Sequence, residues 1–117
     1  MYRGKIISRN IGYRFWDGKE MIYHGYKHVD CSFHGLFVCE GDTIPLQYTG
    51  LKDKNKQDAY EGDIVQENDG RIYLVKWIED EAGFVLFQPP LHYRHFKDIK
   101  VMKIIGNIYQ NKELLGY

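Results

Sequence analysis

The chain has 117 residues, which suits one domain or one domain with a small appendage. Hydrophobic residues make up 44% of it and aromatic residues 15%, enough for a real core and a lean towards strands, since flat, stiff side chains pack well on a pleated surface. Sixteen basic residues balance sixteen acidic ones, which excludes bulk charge as a means of coating nucleic acid.

Residues 13–16 and 21–23 are expected to pair as a hairpin about Asp17-Gly18, because Asp-Gly tolerates the positive φ of a tight turn. Residues 32–38 read as a strand or an irregular crossover. Glu40-Gly41-Asp42 is a turn, and Pro45 forbids a helix through the next stretch. Residues 46–49 read as a short extended run and residues 50–57 as a polar surface loop. In Tyr60-Glu61-Gly62-Asp63-Ile64-Val65 a turn glycine launches a strand, and Asp63 is placed to accept backbone N–H groups.

Asn68-Asp69-Gly70 turns that strand back into residues 71–78. There the apolar side chains occupy both faces: Ile72, Leu74 and Ile78 on one, Tyr73, Val75 and Trp77 on the other. A strand apolar on both faces belongs at the centre of a sheet or inside a barrel. Residues 84–87 form the next strand, ended by Pro89-Pro90. Residues 100–109 read as a strand bent or bulged at Gly106, and Asn111 is expected to cap a last helical turn through Leu115. Short strands at short spacing with turn glycines between them favour a small barrel or sandwich.

No apolar run approaches about 18 residues, so no membrane span is expected. The charged N-terminus lacks the apolar stretch of a signal peptide. Cys31 and Cys39 are then read as free thiols in a reducing cytoplasm.

Three constellations carry candidate chemistry. His28, Cys31, His34 and Cys39 have the soft ligands that zinc prefers, at a spacing unlike the paired ligands of zinc fingers. The bland reading of the same residues is a surface His cluster beside buried thiols. Arg94, Lys97, Lys100 and Lys103 fall at steps of three, with Tyr93 and Phe96 interleaved. On a helical turn the cations form one ridge that can track phosphates while the rings stack on bases; on a strand they disperse. Lys52, Lys54 and Lys56 alternate with Asp53 and Asn55 in a loop that is either a solvated turn or a recognition loop on a rigid scaffold. Glu61 and Asp63 are a carboxylate pair with no evident third ligand for a cation. No nucleophile elbow, phosphate loop, dinucleotide fingerprint or metalloprotease motif occurs, so neither enzymatic activity nor a cofactor is expected.

Leu46-Gln47-Tyr48-Thr49-Gly50-Leu51-Lys52-Asp53-Lys54-Asn55, followed by Tyr60-Glu61-Gly62-Asp63-Ile64-Val65, resembles the signature of the YopX family of phage and prophage proteins. Arg14-Phe15-Trp16-Asp17 resembles that family's opening segment. Ile105-Gly106-Asn107-Ile108-Tyr109, with Asn111 and Glu113-Leu114-Leu115, resembles its closing one. Two positions depart from the pattern: Lys56 stands where the family usually has Gly, and Lys112 where it usually has Pro.

The resemblance implies a phage or prophage origin and an SH3-like β-barrel in the C-terminal part; it implies no reaction and carries no catalytic residues. The expected architecture is therefore mainly β, with an N-terminal β-rich extension over residues 1–44 and an SH3-like barrel domain over residues 45–117. The expected role is a non-catalytic accessory module in the cytoplasm of a bacterial host. Its partner would be itself, as a homo-oligomer, or a phage or host protein, with nucleic acid as the alternative and no membrane.

Overall fold

The computed structural model of the chain describes residues 12–23, 43–90 and 92–116. The strands are β1 (Tyr13–Trp16), β2 (Met21–Tyr23), β3 (Ile44–Lys52), β4 (Asp58–Tyr60), β5 (Asp63–Gln66), β6 (Ile72–Ile78), β7 (Gly83–Gln88), β8 (His92–His95) and β9 (Lys103–Asn107). Short 3-10 helices occupy Glu79–Glu81, Phe96–Val101 and Lys112–Leu115. The protein is mainly β, as its composition suggests, with a curled half-barrel sheet and a second sheet. The smaller sheet has the order β2-β1-β3-β4, and the larger the order β8-β7-β6-β5-β9.

The hairpin forms where expected, with Trp16 opposite Met21. Its loop is wider than a two-residue turn. Asp17 Oδ1 accepts the N–H groups of Lys19 and Glu20, both at 2.8 Å, and these bonds hold its carboxyl below the usual range. β1 also pairs with β3, placing Phe15 opposite Pro45. β3 is longer than residues 46–49. Gly50, at φ 94°, lies inside a register irregularity between Tyr48 and Lys52, so the strand continues through a bulge where a loop was expected to begin.

The larger sheet wraps the main core: Val65, Tyr73, Val75 and Leu86 from the sheet meet Ala59, Ile99 and Met102. The alternation read in β6 holds over its first half, where Tyr73 and Val75 are buried and Ile72 and Leu74 half-buried, but Trp77, read on the same face as Tyr73 and Val75, is exposed at 38%, because the end of the strand runs out beyond the core. Residues 96–101 form a 3-10 helix, which drops Ile99 into the core, and β9 starts only at Lys103. The bulge in β9 falls at Ile105, because Ile64 and Val65 pair with Gly106 and Ile104. Gly106 serves a close approach instead: a Cβ there would lie 2.5 Å from Asn111 Oδ1. Asn111 makes no side-chain cap on the final 3-10 helix. Its Oδ1 turns back to accept the N–H of Asn107 at 3.1 Å.

Candidate functional site

The two sheets present edge strands to each other, β4 from the smaller and β9 from the larger. They are pinned together at both ends. At one end Lys54 N–H donates to the Met102 carbonyl and Ile104 N–H to Asp53 Oδ2, each at 2.9 Å. At the other Ile108 N–H donates to the Gly62 carbonyl at 2.9 Å. Between the pins lies an open cleft of about 600 Å³, walled by Gln57, Asp58 and Tyr60 on one side and residues 104–107 on the other. Gln110, Asn111 and Tyr23 complete its rim, and Arg14 and Asp63 line it from below.

Arg14 and Asp63 are both buried, at 3% and 2% exposure. Arg14 Nη2 donates to Asp63 Oδ1 at 2.7 Å and to the Glu61 carbonyl at 3.2 Å. Asp63 Oδ2 accepts the Tyr60 N–H at 2.8 Å, which fulfils the turn role expected of it. The guanidinium carbon sits 4.8 Å from the centre of the Tyr60 ring and 5.9 Å from that of Tyr23, within reach of cation–π attraction. Burial pushes the Asp63 carboxyl up to about 6, and the neighbouring Arg14 charge works in the opposite direction. Burial also raises the Tyr60 and Tyr109 phenols. Arg14 Nε is buried with no hydrogen-bond partner among the described residues. Such an orphaned donor costs about 1–3 kcal/mol and calls for an explanation.

The three segments that carry the family resemblance converge here. Arg14 comes from the first, Tyr60 and Asp63 from the second, and Asn107 and Asn111 from the third. Trp16 stacks on Tyr109 at 5.7 Å between ring centres, and Gly62 lies under the same ring, where a Cβ would meet Tyr109 Cε2 at 3.2 Å. Asn107 Oδ1 holds the turn after β9 by accepting the N–H groups of Tyr109 and Gln110. Asp53 is buried and holds the preceding loop, its Oδ1 accepting from Asn55 and Gln57. Sequence reasoning did not single out Arg14. The available signal was a lone cation inside an aromatic strand, which needs a buried partner, and Asp63 is a lone anion in an apolar one.

The other candidates lie elsewhere. Lys52 pairs with Asp58 beside the cleft, and this bond raises its ammonium. Lys54 Nζ donates to Asn68 at 2.9 Å. Lys56 is exposed, with φ 65° in the left-handed region, the conformation served by the glycine that the family pattern has there. The basic stripe divides. Arg94, on β8, donates to Tyr73 and forms ion pairs with Glu67 and Asp98, which together raise it further. Phe96 packs against the core, whereas Tyr93 is 52% exposed. Lys97 and Lys100 share one ridge of the 3-10 helix, and Lys103 opens β9 opposite Gln66. His28, Cys31, His34 and Cys39 lie outside the described residues. Among the described residues no group of three or more metal-ligating side chains occurs, and no helix is long and apolar enough to cross a membrane.

Fold and cleft together define a mainly β protein of two sheets, pinned around a polar and aromatic slot. The chain belongs to the YopX family: the profile described as YopX protein matches residues 12–116. Among solved structures it is similar to protein EF1440 from Enterococcus faecalis, with 23% identity and a TM-score of 0.62 over 92% of this chain and 99% of that one. That likeness concerns the fold alone. No curated protein sequence matches the chain.

Proposed function

We propose that this protein is a non-catalytic accessory module of phage or prophage origin, acting in the host cytoplasm by binding a protein partner through the β4–β9 cleft. One observation carries this reading. Segments far apart in sequence meet at one concave surface lined by tyrosines, an arginine and side-chain amides. Tyr and Arg are the residues that dominate binding energy at protein interfaces, because they bring large area and several donors at modest entropic cost. Zero net charge is compatible with association, and a second copy of the chain is one candidate partner. A nucleic-acid role is less well supported, since Arg94 is engaged in ion pairs and Phe96 in the core.

Selection of a displayed random-peptide library against the purified chain tests the proposal. Tyr23→Ala and Gln57→Arg alter the rim at exposed positions. Enriched peptides should lose affinity for both variants while the melting temperature stays within a few degrees. Binders indifferent to both variants would overturn the assignment of the cleft. An empty selection from a chain that is monomeric by native mass spectrometry would overturn the module itself.

A further inference from the structure

The two ends of the cleft differ in charge. At the Asp53 pin both walls run on into lysines: Lys56 precedes Gln57 on the β4 side, and Lys103 precedes Ile104 on the β9 side. Lys54 lies on the pin itself, where its N–H donates to the Met102 carbonyl, and Lys100 and Val101 come just before that residue in the chain. All four lysines are exposed, and Val101 is 54% exposed. The carboxylates around them are engaged elsewhere. Glu67 and Asp98 pair with Arg94, Asp69 with Arg71, and Asp58 with Lys52. Asp53 is buried, its oxygens turned to the N–H groups of Asn55, Gln57 and Ile104. Lys54 Nζ donates to the neutral amide oxygen of Asn68, and among the described residues Lys56, Lys100 and Lys103 form no ion pair. At the opposite pin the sign reverses. Glu61 precedes Gly62 there, and its charge adds to the burial that raises the Tyr109 phenol.

Main-chain groups along the two edges are already spent: Ile104 N–H on Asp53, Asn107 N–H on Asn111 and Tyr60 N–H on Asp63. Recognition therefore falls to side chains. The lysine end offers no ring on which a base could stack, since Phe96 packs on the core and Tyr93 stands on β8, at the opposite edge of the larger sheet. Lysines beside an exposed valine suit the carboxylates of a protein better than the phosphates and bases of a nucleic acid. We propose that the partner segment held in the cleft carries acidic residues at one end, and that these leave the slot over Lys54, Lys56 and Lys103. This deepens, and rests on, the protein-binding reading above. Rim charges of this kind govern the choice of partner and the rate of association, and their effect falls as salt rises. The polarity also orients the segment, with its acidic end at the Asp53 pin and away from Glu61.

The test is a titration of the isotope-labelled full chain with N-acetyl hexaglutamate amide at low ionic strength, followed by NMR. The expected result is saturable binding that shifts the Lys56, Gln57, Lys103 and Ile104 amides. Lys56→Gln combined with Lys103→Gln should weaken it by about tenfold. Lys19→Gln combined with Lys76→Gln, an equal change of charge at exposed positions on other elements, should leave it unaltered. Peptides selected from the displayed library should be enriched in Asp and Glu at one end and should weaken with the first pair as well. Gln57→Arg obstructs the slot but adds to its cationic end, so these peptides should lose less on it than on Tyr23→Ala. Equal weakening by both pairs, or tighter binding of an oligothymidylate of equal charge, would overturn the proposal. Selected peptides that lack acidic residues and ignore the first pair would also overturn it, and would leave the protein-binding reading standing. If neither hexaglutamate nor any selected peptide binds, both fail.

Discussion

Replacing Arg14 by Met keeps most of the side-chain volume and removes the cation from a site that is 3% exposed. Three losses follow. Asp63 already titrates at about 6 rather than 3.8, so folding with it ionised at pH 7 costs about 3 kcal/mol, at about 1.36 kcal/mol for each pKa unit. Without Arg14 the carboxyl protonates instead. The cost of that at pH 7, set by the distance from 3.8, is at most about 4 kcal/mol, an increment of about 1 kcal/mol over the present state. The Glu61 carbonyl loses its donor, worth about 1–2 kcal/mol, and the Tyr60 ring loses a cation, worth about 1 kcal/mol. The total falls in the range of about 3–5 kcal/mol known for breaking one side of a buried pair. Acid should soften the effect. Because the folded-state value of Asp63 is raised, the native state holds a proton between about pH 4 and 6 that the unfolded chain has released. Its contribution is therefore most favourable below 3.8 and is lost as pH rises through 6. At pH 5 Asp63 is neutral in both proteins, so the deficit of the variant should narrow by about 1 kcal/mol. Urea denaturation of both proteins at pH 7 and pH 5 measures this. A deficit below about 1 kcal/mol at pH 7, or one that widens on acidification, would refute the reasoning.

Three further substitutions probe the frame around the cleft. Lys56→Gly should raise stability by about 0.5–1 kcal/mol, since Lys56 is held at φ 65° where glycine is unstrained; thermal melting reads it as a rise of a few degrees. Gly62→Ala should lower stability by about 2–3 kcal/mol, because φ is 92° and the new Cβ lies 3.2 Å from Tyr109 Cε2; denaturation together with the near-ultraviolet signal of the Trp16–Tyr109 stack would report it. Asp53→Ala strips the acceptor from the N–H groups of Asn55, Gln57 and Ile104, and should cost about 2–4 kcal/mol while speeding hydrogen exchange at Ile104, the pin beside the cleft.

Local signals made the hairpin, the Gly62 turn and the buried half of β6 legible, because each depends on neighbours in the chain: Asp17 with Gly18, Gly62 with Asp63, and the alternation from Ile72 to Val75. Gly50 and Gly106 were harder. A glycine signals backbone freedom without saying whether a loop, a bulge or a close contact uses it; here Gly50 sits in a bulge and Gly106 under Asn111. Residues 96–101 carry a step of three, in Lys97 with Lys100, which left a helical turn and a strand both open; the 3-10 turn is fixed by Ile99 reaching the core. The cleft was the least legible feature. Arg14 and Asp63 are separated by 49 positions, and no local pattern encodes that pairing. Only the common membership of their segments in one family signature hinted that they meet. The division of the basic stripe was equally hidden, because Glu67 reaches Arg94 across 27 positions.

Stability alone does not account for an ion pair under an open slot. Buried pairs replaced by packed apolar residues often leave proteins as stable as before, or more so by about 1–4 kcal/mol, since desolvation consumes most of the attraction. Arg14→Met combined with Asp63→Leu should therefore recover most of what Arg14→Met alone loses, and it should flatten the stability profile between pH 4 and 7 by removing the carboxyl that titrates at about 6. If the pair also shapes the cleft for binding, this stable double variant will no longer bind the peptides selected on the native chain. Denaturation and the peptide titration, run on the same sample, separate the two roles. A double variant that is stable and still binds the peptides would make Arg14 a structural cross-brace between the sheets. One that is stable and silent would place its purpose in recognition.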